Sequence, residues 1–135
     1  MSGKIHHRGP LRPEDFENLN MGVILTGYLG KMKKHYNETY QRRFVVLTYK
    51  AMHWFEREEG YDLFGKEQNH IQICDIVKCV PWEHEEKKHF DVLSKDGFLR
   101  RFVADDEAHA VKWVRAITGV MDSLAHAIVH RLSIS

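Results

Sequence analysis

The chain has 135 residues, 43% hydrophobic and 29% charged, with a formal net charge of +1 at pH 7. That length suits one domain with its own core, and a disordered chain would be poorer in apolar residues and further from neutrality. No stretch approaches the roughly 20 apolar residues of a membrane-spanning helix, the opening Met1-Ser2-Gly3-Lys4 lacks the apolar core of a secretory signal, and Cys74 and Cys79 are too few for a disulfide-stapled secreted scaffold. A soluble, cytoplasmic, single-domain protein is expected.

Residues 1–12 read as a flexible N-terminus rich in Gly, His and Arg. Residues 13–20 read as a short helix: Pro13 suits a first turn, Glu14, Asp15 and Glu17 favour the positive dipole end, and Asn20 can stop it. Phe16 and Leu19 lie three apart and are placed to dock onto the rest of the domain. From residue 21 to the end the chain reads as one β-rich domain with a long final helix.

Residues 23–33 alternate loosely and predict a strand, with Gly27 and Gly30 permitting sharp bending or close backbone approach. Residues 41–49, QRRFVVLTY, are β-branched and aromatic and predict a second strand. A tight turn leads to a third over 52–56, and residues 57–69 read as a long loop. Residues 70–80 predict one or two short strands interrupted at Cys74-Asp75, with both thiols expected to be buried. After a charged loop, 89–94 and 98–104 predict a hairpin about the Asp96-Gly97 turn. Asp105 or Asp106 is placed to cap a final helix of about 25 residues. Its apolar stripe runs Ala110, Trp113, Val114, Ile117, Met121, Leu124, Ile128, Leu132. Strands followed by one helix, without alternation, exclude a doubly wound parallel sheet and favour a bent antiparallel barrel covered at one end.

The charge is unevenly spread. Residues 21–50 carry Lys31, Lys33, Lys34, Arg42, Arg43 and Lys50 against Glu38 alone. One basic segment on a near-neutral chain points to a local anionic target, and it argues against nucleic acid, which calls for a basic domain overall. Strand parity refines this, since side chains alternate across a strand. Lys31 and Lys33 share the face of Leu29, Leu25 and Val23, and Arg43 shares that of Val45 and Leu47. Apolar inward residues that turn basic toward one end describe a barrel mouth lined with cations. An unpaired buried cation is costly, so these belong at the rim, where phosphate suits the Arg fork and the Lys point charge. Lys34 and Arg42 have the opposite parity and would add long-range attraction to an anionic leaflet. Tyr36, Tyr40 and Phe98 flank this end as candidate membrane contacts.

The sequence resembles the pleckstrin homology (PH) family through Gly27-Tyr28-Leu29-Gly30-Lys31, Tyr40-Gln41-Arg42-Arg43-Phe44-Val45-Val46-Leu47 and Met52-His53-Trp54-Phe55-Glu56. Further matches are Phe90-Asp91-Val92-Leu93, Arg101-Phe102-Val103-Ala104 and the helix segment from Glu107 to Trp113. The resemblance implies a mainly β fold, a seven-stranded, two-sheet barrel capped by one C-terminal helix, and a non-catalytic domain that is peripheral on a membrane and binds inositol-phospholipid headgroups. The family's ligand pattern falls on Lys31 and Arg43; Gln41 departs from its middle basic position, which weakens the expectation of stereospecific phosphoinositide recognition. A short chain that is almost wholly one such domain, with a preceding helix, is also similar to the apicomplexan acylated PH-domain proteins, which implies phosphatidic acid as the lipid. The acylation signal itself is not visible, because Gly3 follows Ser2 rather than Met1.

The expected function is therefore recruitment to anionic phospholipid through Lys31, Lys33, Lys34, Arg42 and Arg43. The alternative is a protein partner held at a sheet edge or along the final helix, whose stripe after Gly119 exceeds what a small barrel needs to be covered. No cofactor or metal is expected. His84 and His89 enclose two glutamates but miss the i, i+4 spacing of a zinc-protease helix by one residue, and two cysteines make no zinc ribbon.

Overall fold

The structure is a computed structural model, and it describes residues 22–32, 39–56, 67–83 and 87–134. The expected helix over 13–20, together with Lys33, Lys34 and Tyr36, lies outside the described residues.

Among the described residues, seven antiparallel strands precede one long helix: β1 Val23–Met32, β2 Tyr40–Thr48, β3 Ala51–Glu56, β4 Glu67–Gln72, a 3-10 turn Ile73–Asp75, β5 Ile76–Pro81, β6 His89–Ser94, β7 Leu99–Val103 and α1 Glu107–Ile134. The order across the sheet is β4-β3-β2-β1-β7-β6-β5. Two meanders, β1–β4 and β5–β7, join at a narrow seam where Gly30 pairs with Val103 and Lys31 with Phe102. The seam explains Gly30, since a Cβ there would stand 2.6 Å from Val103 Cγ1, so the bend demands glycine.

One core fills the space between the meanders. Leu29, Val45, Leu47, Met52, Trp54, Ile71, Phe90, Val92 and Phe102 point into it from the strands, and Ala110, Trp113, Ile117 and Val120 from α1. Phe90 and Phe102 stack at 5.5 Å, and Trp54 meets Phe102 edge-on at 6.1 Å. The Trp113 ring lies against β1 at Gly27, where a Cβ would sit 3.5 Å from Cζ2.

Several expectations are corrected in detail. Tyr49 is in a turn rather than in the second strand, because Thr48 Oγ1 accepts from the backbone N–H of Lys50 and Ala51 at 3.2 and 3.1 Å and closes the chain there. β4 starts at Glu67, inside the predicted loop; its Glu-Gln-Asn-His opening carries no apolar alternation. Val23 does not share the inner face of Leu25 and Leu29, since the register shifts between Val23 and Leu25. The bulge turns Val23 outward against Val46 and Phe55. Cys74 is exposed on the 3-10 turn, whereas Cys79 is half-buried on β5. Asp106 rather than Asp105 caps α1: its carboxylate accepts from the His109 N–H at 2.8 Å and its carbonyl begins the helical ladder at Ala110. That pairing also holds the Asp106 carboxyl below its usual range. Finally, α1 remains packed past Gly119, with Val120 buried and Leu124 half-buried; the stripe leaves the barrel only at Ile128 and Leu132.

Candidate functional site: a basic rim around Trp54

Two ends of the barrel differ in what lines the inner face. At the end where β1 finishes, β2 begins and the β6–β7 turn lies, that face becomes cationic. Lys31 is half-buried, with its Nζ 5.3 Å from the centre of the Trp54 ring. Arg43 is half-buried one residue pair further in, opposite Leu29, while Lys31 lies opposite Gln41. Lys31 and Arg43 are therefore diagonal neighbours, roughly 7–8 Å apart in such a ladder. The Arg43 guanidinium donates to Gln41 Oε1 at 2.8 Å and to the Arg42 carbonyl at 3.1 Å. Gln41, the departure from the family's basic pattern, is thus a neutral anchor that fixes Arg43 beside Lys31. The β2–β3 ladder pairs Arg43 with Glu56.

Sequence reasoning missed Arg100. It lies two residues before Phe102 on β7 and so shares its inward parity. Its guanidinium carbon is 5.7 Å from the Trp54 ring centre and 4.8 Å from that of Phe98, and it donates to Ser94 Oγ at 3.2 Å. Lys31 and Arg100 both lie over the Trp54 ring, the indole offering its electron-rich face to cations held near each other. Asp96 tempers Arg100: its carboxyl is held below the usual range first by the Ser94 hydroxyl, then by the Phe98 N–H, with Arg100 contributing. A polar cleft of about 370 Å³ opens beside Arg100, walled by His70, Gln72, Ser94 and Asp96 among others. The parity count that placed Lys31 and Arg43, applied to β7, would have found Arg100.

The remaining candidates lie elsewhere on the surface. Arg42 points outward, its guanidinium 4.6 Å over the Tyr28 ring and 3.6 Å from Asp105 Oδ1. Both charged partners are exposed, so that tie is weak. Tyr40 is half-buried with its ring 5.8 Å from that of His89, and Phe98 is half-buried beneath Arg100.

Arg101, next to Arg100, shows what a neutralised arginine looks like here. It faces outward, donates to both Asp91 oxygens at 2.8 and 3.0 Å, and lies 4.2 Å over Trp82, whose indole N–H donates to the same carboxylate at 3.0 Å. This fork pins β5, β6 and β7 together and raises the arginine's pKa. Adjacent arginines thus divide the work: Arg101 is paired with a carboxylate, while Arg100 faces the inner rim.

Among the described residues, no three His, Cys, Asp or Glu side chains gather as a metal site, and no helix is long and apolar enough to cross a membrane. His84, Glu85 and Glu86 lie outside the described residues.

Comparison with known proteins agrees with this architecture. The chain is similar to the PH domain of Slm1 in complex with inositol-4-phosphate, at 18% identity and a TM-score of 0.61, over 73% of this chain and 96% of that one. It is also similar to the linker-DH/PH domains of p115-RhoGEF, at 15% identity and a TM-score of 0.64, over 82% of this chain and 32% of that one. For the PDZRhoGEF DH/PH fragment crystallised with human RhoA, the values are 11% identity, a TM-score of 0.65, and 81% and 32% coverage. The chain thus spans about a third of the length of those two fragments. No curated protein matches it, and the narrower likeness to apicomplexan acylated PH-domain proteins finds no support. A sequence model of the PH domain matches residues 23–122, and the chain belongs to the PH domain family, whose members are in general non-catalytic.

Proposed function

We propose that this PH domain is a membrane-recruitment module that binds the phosphate of an anionic phospholipid headgroup at the rim formed by Lys31, Arg43 and Arg100. The observation that carries the reading is that Lys31 of β1 and Arg100 of β7 both lie over the Trp54 ring, with Arg43 of β2 on the diagonal to Lys31 and sharing its face. Cations held at the edge of an apolar interior gain by meeting an anion there. Lys33 and Lys34 extend the cationic segment in sequence, and Arg42 adds attraction from the outer face, on the order of 1 kcal/mol per charge near an anionic leaflet. Tyr36, Tyr40 and Phe98 are the aromatic side chains proposed to meet the interface. The inositol phosphate bound by the Slm1 domain supports phosphoinositide as the headgroup class. Phosphatidic acid is the other headgroup, because Gln41 leaves fewer fixed cations than the family pattern and a lone phosphomonoester needs fewer.

Vesicle flotation at fixed ionic strength tests this. The chain is expected to float with vesicles containing phosphatidylinositol phosphate or phosphatidic acid and to stay behind with neutral phosphatidylcholine. Phosphatidylserine at matched charge separates headgroup recognition from charge alone. Equal recovery on neutral and anionic vesicles contradicts the proposal.

A protein partner is the second reading. It is favoured by the end of α1, where Ile128, Val129 and Leu132 are 51%, 61% and 71% exposed beyond the barrel. Capture of a partner that survives Lys31→Ala with Arg43→Ala but fails after Ile128→Asp would favour it.

A further inference from the structure

The sheet carries a second apolar cluster on its outer face. The residues of β2 and β3 that point away from the core include Phe44 and Val46, paired with Phe55 and His53. Val46 and Phe55 are fully buried and His53 is 7% exposed, with Val23 and Phe44 packed against the pair. These side chains do not belong to the barrel core, and α1 packs chiefly on β5, the 3-10 turn, β6 and β1. A groove of about 740 Å³ continues from this cluster toward the β2–β3 turn, walled by Gly22, Tyr49, Lys50, His53, His70 and Leu124 among others. Large apolar side chains that are fully buried on the outer side of a sheet require a cover.

We infer that the cover is the chain's own segment 13–21, docked along this flank through Phe16 and Leu19. The entry point of the chain favours it. Gly22, the residue to which segment 13–21 is joined, is itself a wall of the groove, with a φ of +70° and so close to Tyr49 that a Cβ would be 3.0 Å from its ring. The reach matches: eight helical residues span about 12 Å, and Phe44 lies four residues along β2 from Thr48, roughly 13 Å. The charge matches too, since Glu14, Asp15 and Glu17 would face a groove that carries Lys50 and two histidines. Residues 57–66, which also hold large apolar side chains, leave β3 beside Phe55, so segment 13–21 is assigned to the Gly22–Tyr49 end of this flank, where 57–66 does not begin or end. In this arrangement the segment lies on the flank of the barrel and does not cross the basic rim. The inference is independent of the lipid reading.

Nuclear Overhauser contacts in the isotope-labelled full chain test it without any substitution. Contacts from the Phe16 ring and Leu19 methyls to the rings of Tyr49, His53 and His70 are expected. They should remain intramolecular in a mixture of labelled and unlabelled chains. Phe16→Asp with Leu19→Asp is expected to abolish them and to speed amide exchange at Val46 and Phe55 at least tenfold. The inference is overturned if those rings instead contact Tyr61, Leu63 or Phe64, if the contacts arise between chains, or if residues 16 and 19 show none.

Discussion

The two ends of the barrel are built from the same strands and come out opposite in character. At the helix end the inner face meets Trp113, Ile117 and Val120, and the interior is closed. At the other end it meets Lys31, Arg43 and Arg100, with Trp54 between the closed core and the cationic rim. Alternation is common to both; only the residue type at the inward positions changes. One end holds the barrel shut; the other is the end at which the proposed function places the headgroup. Substitutions should therefore divide by end, with stability lost at one and binding at the other.

The largest effect is expected at the closed end. Truncating Trp113 to Ala removes a buried ring that packs on Gly27 and should cost about 3–5 kcal/mol of stability, measured by urea denaturation. Lys31→Ala with Arg43→Ala should leave the urea midpoint nearly unchanged while lowering partition onto anionic vesicles by about tenfold or more, at about 1 kcal/mol per cation. A binding loss at Trp113 without a stability loss would break the comparison.

The seam between the meanders comes next. Gly30→Ala places a methyl 2.6 Å from Val103 Cγ1, and the forced shift should cost about 1–3 kcal/mol, again read from the urea midpoint. Because Gly30 precedes Lys31, this variant should weaken vesicle binding as well, which Trp113→Phe should not.

The smallest effect concerns pH. Burial, reinforced by Asp91, pushes the Cys79 thiol up to about 12. A raised thiol pKa means that the unfolded chain gives up this proton first. The stabilisation is fully present below the unfolded value near 9 and declines as pH rises from there toward 12. Between pH 9 and 10 the wild-type chain should lose on the order of 1 kcal/mol relative to Cys79→Ala. Parallel pH profiles for the two proteins would show that the site is wetter than its burial implies.

Much of this was legible in the sequence where residue types and periodicity agree. QRRFVVLTY announces β2, the Asp-Gly turn fixes the β6–β7 hairpin, and the Ala110–Trp113–Ile117 spacing gives the helix its inward stripe. Parity put Arg43 with Val45 and Leu47 and turned Arg42 outward, as the ladder places them. Legibility failed where tertiary pairing overrides local pattern. A bulge displaced Val23, a hydroxyl closed the turn before Tyr49, and β4 is held by pairing with β3 rather than by its own polar residues. Arg100 was missed because two consecutive arginines look alike until one finds Asp91 and the other faces Trp54. Gln41 read only as a missing cation, whereas its amide oxygen is what orients Arg43.

The most direct test of the central claim is titration of the labelled chain with soluble phosphomonoesters, glycerol 3-phosphate and inositol 4-phosphate, followed by nuclear magnetic resonance. The account predicts that the Trp54 indole, the Arg43 and Arg100 guanidinium signals and the Lys31 amide shift together, and that Trp82 and Arg101 stay still. Shifts confined to Arg101, Trp82 or the end of α1, with Trp54 unmoved, would contradict it.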